Sequence, residues 1–148
     1  MLFRSGLGYL CAAGVTMIFI AAVNKMLRLQ GWYGPARPEP NMLQWLELVS
    51  LATVCDVMPL TGVNRALVCQ GLRVMARRER PGIAALLDVT QAREKLTTHT
   101  CGFVLGPRIN AAGRISEADM GLRLLLTDRK STRLNSSHSQ QSRMPSSA

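Results

Sequence analysis

The sequence predicts an α/β fold: the end of a mostly parallel sheet with its helices, a long connecting helix, and the start of a second region that is helical or α+β. Three observations predict it. Apolar residues make up 47% of the chain but aromatics only 5%, so Leu, Val, Ala and Met carry the core, as in helix-rich and α/β proteins. The short β-rich run LATVCDVMPL ends in Asp56 and is closed by Pro59. That is the pattern of a buried strand delivering a carboxylate at its carboxyl end, where open α/β sheets place their ligand sites. Gly- and Pro-rich punctuation separates apolar segments of helical length, and 148 residues suffice for one domain with a real core.

The elements follow in order. The opening stretch MLFRSGLGYLCAAGVTMIFIAAVNK has no charge between Arg4 and Lys25, which invites comparison with a signal peptide or membrane anchor. Ser5, Gly6, Gly8, Gly14, Thr16 and Asn24 interrupt it, and Val15 to Val23 alone is too short to span a bilayer. It reads instead as a fully buried helix packed on a sheet, stopped by Gly31. GWYGPARPEPN is a loop in which Trp32 and Tyr33 do ordinary packing. Asn41 caps a helix, MLQWLELVSL, with Leu43, Trp45, Leu46 and Leu48 apolar. After the predicted strand, RALVCQGLRVMARRER reads as a long helix with Leu67, Leu72 and Met75 inward. Its late Arg73, Arg77, Arg78 and Arg80 form a solvated face that complements the helix C-terminus. Pro81 starts the short helix GIAALLDV. Another helix runs from about Thr98 and stops before Pro107, and Ser116 caps EADMGLRLLL beyond the loop GPRINAAGRI.

The formal charge of +9 and a pI near 10.5 suggest an anionic partner such as nucleic acid or a membrane surface. Four of the basic residues lie in 129–148, which has no acidic residue, so the body carries only +5. That tail, RKSTRLNSSHSQQSRMPSSA, has no hydrophobic period and reads as disordered. DRKSTRLNSSH and SRMPSSA also match the translation of a common short-read sequencing adapter, so the tail reads as non-native and is set aside. Cys11, Cys55, Cys69 and Cys101 form no CxxC pair and sit in apolar stretches, as buried free thiols of a reducing compartment do. There are two histidines, one of them in the tail, so a His-based metal cluster cannot be built.

Two features can carry chemistry. Asp56, flanked by Val54, Cys55, Val57 and Met58, is either a metal or catalytic carboxylate or a structural one satisfied by backbone or Arg donors. One carboxylate does not make a metal site, because hard cations take several oxygen ligands. In GPRINAAGRI, Arg108 and Arg114 stand among glycines with Asn110 between them. Guanidinium forks grip phosphate bidentately, and neighbouring glycines let backbone N–H groups approach an anion. The same arginines can equally pair with carboxylates elsewhere.

Taken together and in order, LCAAGV, LELVSLATVCDVMPLTGVNR, QGLR, RPGIAALL, GFVLGPRINAAGRI and LLLTD resemble RecJ-type single-strand-specific exonucleases of the DHH phosphoesterase family. The resemblance covers nearly all of residues 5–128. It implies that 1–60 is the C-terminal part of a DHH catalytic domain, 61–80 a connector helix, and 81–128 a region carrying the GPRINAAGR motif. It further implies 5′→3′ hydrolysis of single-stranded DNA in cytoplasmic repair and recombination, with Mn²⁺ or Mg²⁺. Single-strand-binding protein and a helicase would be partners, with no membrane. By position, Asp56 matches the family's last metal-binding aspartate, while Arg108, Asn110 and Arg114 lie in the motif lining the DNA cleft. The DHH triplet, the DxDADG motif and the SGGGH motif do not occur here, so the chain reads as a middle piece that is inactive alone. A related phosphoesterase acting on short oligonucleotides or cyclic dinucleotides is the alternative.

Overall fold

The computed structural model describes residues 6–92, 95–115 and 119–127, with only the backbone of 112–115. Among the described residues six α-helices follow one another: α1 Ala12–Leu29, α2 Leu46–Cys55, α3 Gly62–Met75, α4 Pro81–Val89, α5 Gly106–Ile115 and α6 Met120–Leu126. A 3₁₀ turn, Met42–Trp45, leads into α2, and a π-helical turn, Thr100–Leu105, leads into α5. The predicted Ser116 cap and the disorder predicted for 129–148 lie outside the described residues.

The predicted α/β architecture is corrected. Among the described residues there is no strand, only an isolated bridge between Gly34 and Arg37. Of the segment expected as a strand, residues 51–55 are the second half of α2 and 56–60 are the turn and loop that follow it. A short, wholly apolar run has the same pattern in a buried helix as in a buried strand, and here the surroundings decide. α2 is packed by α1, α3, the 3₁₀ turn and the π turn, which bury Leu46, Glu47, Val49, Ser50, Leu51 and Thr53. Thr53 fits a helix because its hydroxyl donates to Val49 O at 2.7 Å.

α1 also departs from expectation. Of its residues only Gly14 and Asn24 are buried, and Phe19, Met26 and Leu29 are exposed. Nothing among the described residues covers that apolar face. By length and composition α1 is the one described helix able to cross a membrane. Its end is as read: Gly31 takes φ +68°, and Trp32 N–H reaches back to Leu27 O at 3.0 Å. Asn24 is satisfied by Tyr33 and Glu39. Asn41 caps as expected, accepting from Leu43 N–H at 3.2 Å.

The core gathers Leu51, Met75, Ile83, Leu87, Cys101 and Leu105 between α2, α3, α4 and the π turn. Cys11 and Cys101 are buried free thiols as expected, while Cys55 and Cys69 are exposed. The long connector helix is shorter than predicted, ending at Met75, and the chain then turns through Arg78 at φ 55°. Two of the late arginines are fastened rather than solvated. Arg78 pairs with Asp88 and donates to Ala92 O at 3.0 Å. Arg80 Nε donates to Glu47 Oε1 at 2.7 Å and Nη1 to Leu125 O at 3.3 Å, tying α2 to α6 at the start of α4.

Burial pushes the Glu47 carboxyl above its usual range, against the opposing pull of Arg80. The native state therefore holds this proton more tightly than the unfolded chain. The resulting stabilisation is complete below the ordinary carboxylate pKa of about 4.3 and is lost as pH rises through the raised value. Glu47→Gln cannot titrate. Urea midpoints taken at rising pH will fall for the parent relative to Glu47→Gln, and parallel curves would contradict this.

Candidate functional site

The C-terminal end of α2 meets the start of α5. Asp56 is the C-cap of α2 and Val57 follows it in the left-handed region, φ 55°. Met58 N–H closes the turn onto Thr53 O at 3.1 Å, the arrangement that glycine usually supplies. Asp56 is exposed, and no ion pair links it to another described residue. A carboxylate at a helix C-terminus faces the negative end of the dipole, so this end of α2 is electrostatically poised for a cation. The carboxylate stands on a helix end, not on the strand end the sequence suggested.

Opposite, the π turn carries the chain into α5. Gly102 and Gly106, four residues apart, present a bare face to α2: a Cβ at Gly106 would stand 2.6 Å from Cys55 Sγ. Cys55 Sγ instead rests against Cys101 O at 3.7 Å. A cleft of about 340 Å³ results, lined by Cys55, Gly102, Gly106, Pro107, Asn110 and Ala111. The cleft residues Cys55, Gly102 and Gly106 escape a reading based on charged motifs, though the four-residue spacing of the glycines is a legible sign of close helix approach. Burial, then the charge of Asp56, pushes the Cys55 thiol up, and burial pushes Cys101 up to about 11. Both stay protonated at neutral pH, so neither is an activated nucleophile.

GPRINAAGRI is a helix, which corrects the loop reading. Pro107 does not end the helix: it stands just after the π turn, inside a continuous helical run over 98–115. Because the π turn runs straight into α5, Gly106 N–H is engaged by Cys101 O, so no open glycine cradle of N–H groups exists here. Any grip on an anion falls to side chains. Asn110 lines the cleft. Arg108 is exposed and folds one guanidinium nitrogen onto Val104 O at 2.7 Å. Position 114 lies one turn beyond Asn110 in the helical register; the Arg114 side chain lies outside the described residues. The structure thus brings Cys55, the last residue of α2, and Asn110 to one cleft, while Asp56 is not among the residues that line it.

Among the described residues no three His, Cys, Asp or Glu side chains converge on a point. Asp56 alone does not fit a manganese or magnesium site, which needs several oxygen ligands. Val57→Gly removes a left-handed strain of about 1–2 kcal/mol, partly offset by glycine entropy. We expect it to raise stability by about 1 kcal/mol in urea unfolding, and an unchanged or lower midpoint would contradict the assignment of strain.

No family model matches the chain. It is 44% identical over 122 residues to "Single-stranded-DNA-specific exonuclease RecJ" of Escherichia coli, covering 80% of this chain and 21% of that protein. The RecJ protein of Thermus thermophilus is 36% identical over 116 residues, 78% of this chain and 16% of the relative. That of Bacillus subtilis is 36% identical over 88 residues. The chain spans about a fifth of the length of its Escherichia coli relative.

Proposed function

Since this chain is related to the RecJ single-stranded-DNA-specific exonucleases over four fifths of its length, we propose that it is a segment of such an enzyme and supplies one wall of its DNA cleft. One observation carries the reading. A stretch covering 80% of 148 residues necessarily contains both Asp56 and residues 108–114, and Cys55, next to Asp56 in the chain, shares a cleft with Asn110. In this reading Arg108, Asn110 and Arg114 contact the phosphates of a single strand, for which guanidinium forks are suited. Asp56 supplies one carboxylate of a divalent-cation site, Mn²⁺ or Mg²⁺, whose other ligands come from the rest of a longer protein. The activity of that protein is 5′→3′ degradation of single-stranded DNA in repair and recombination in the cytoplasm. Single-strand-binding protein and a helicase are its proposed partners.

The chain alone binds DNA without cutting it. Fluorescence anisotropy with labelled oligothymidine at low salt tests the first half: Arg108→Glu weakens binding and Arg108→Lys largely preserves it. Equal binding by parent and Arg108→Glu contradicts the role of Arg108. Incubation of the chain with single-stranded DNA and manganese tests the second half, and degradation there overturns the assignment of one wall only.

A further inference from the structure

A second cleft, of about 630 Å³, lies between α3 and the segment after α4. Its floor is apolar, with half-buried Leu72 and Leu96, and its rim is basic, with Arg73, Arg78 and Lys95. α3 contains no acidic residue, and Arg65 and Arg73, eight positions apart, fall on one exposed side of it. Arg78 is held by Asp88 and by Ala92 O. Arg73 and Lys95 are exposed, and neither makes an ion pair with a described residue. Cations on a convex face are ordinary solvated charge. Here three of them converge on a concave surface floored by leucines, and one of the three is fixed by structural bonds. A phosphate backbone with bases attached needs that combination, charge at the rim and apolar contact below; a free phosphate would leave the floor unused.

We propose that this cleft is a second contact for single-stranded DNA, separate from the cleft between Cys55 and Asn110. Arg73 and Lys95 take phosphates, Arg78 presents its remaining donor edge, and a base or sugar lies over Leu72 and Leu96. The identity of the polyanion rests on the function proposed above; the site itself rests on the α3 geometry.

The test measures binding of labelled oligothymidine to the full chain across a salt series. The variants are Arg73→Glu with Lys95→Glu, the milder Arg73→Gln with Lys95→Gln, and Arg108→Glu, with helical circular dichroism confirming the fold. Loss of two phosphate contacts lowers the slope of log affinity against log salt by about 1.4 and the low-salt affinity by about tenfold. Both Arg73/Lys95 variants should show this in graded fashion, and Arg108→Glu should add to it. Parent-like binding by the Arg73/Lys95 variants, with Arg108→Glu still impaired, overturns this inference and leaves the first cleft standing. Equal displacement of the oligonucleotide by polyglutamate at matched charge also overturns it, assigning the cleft to acidic protein surfaces.

Discussion

Replacing Arg80 with alanine will destabilise the chain by about 3–5 kcal/mol, the range expected when one partner of a buried ion pair is removed. Glu47 and Arg80 keep only 4% and 18% of their side-chain surface in water. Glu47 Oε2 already has no partner among the described residues, so Arg80 is the group that makes burial of this carboxylate tolerable. Alanine leaves the charge stranded in the interior and also frees the Leu125 carbonyl from its bond to Nη1. Adding Glu47→Gln to Arg80→Ala removes the stranded charge and should recover part of the loss. Urea unfolding followed by helical circular dichroism checks both. A loss below about 1 kcal/mol, typical of an exposed pair, would show that the pair does not hold α2 to α6.

Gly71→Ala will cost about 3 kcal/mol, the upper end of what overpacking usually produces. α2 and α3 cross so closely that a Cβ at Gly71 would lie 2.2 Å from Leu46 O and 2.4 Å from Ser50 Cβ. Neither atom belongs to a flexible side-chain end, so the helices themselves must separate. Because alanine is otherwise the better helix former by about 1 kcal/mol, a stabilised Gly71→Ala variant would show that the two helices are not in contact. The same separation would shift the end of α2, and with it Asp56.

Local signals in the sequence were sufficient where one residue decides the geometry. Gly31 as the stop of α1, Asn41 as a cap and Pro81 at the start of α4 are all as read. The failures fall where neighbours decide. LATVCDVMPL has strand-like composition, yet four surrounding elements make it a helix. Pro107 reads as a breaker, yet the chain stays helical through it, with a π turn immediately before it in place of regular α spacing. α1 reads as buried because it is apolar, yet Phe19, Met26 and Leu29 are exposed among the described residues. At the site, Asp56 and residues 108–114 stand out by residue type and pattern, and the resemblance to RecJ-type exonucleases, which the relatives bear out, is what gives them roles. What meets there is Cys55 and the start of α5, with Gly102 and Gly106 clearing space for its side chain, a contact across some fifty residues of chain that local periodicity does not encode. The late arginines were read as one solvated group because sequence shows their spacing but not Glu47 and Asp88, which claim two of them.

If this segment forms the DNA-facing wall of a RecJ-type nuclease, with Asp56 its metal-side carboxylate, it should work in place of its counterpart in a relative. The experiment exchanges the aligned segment of the Escherichia coli RecJ protein for residues 6–127 of this chain and assays degradation of single-stranded DNA. The folded exchange protein should degrade single-stranded DNA, and Asp56→Ala within it should lower the rate about a hundredfold. A folded exchange protein without activity, or an Asp56→Ala form as fast as its parent, would contradict it.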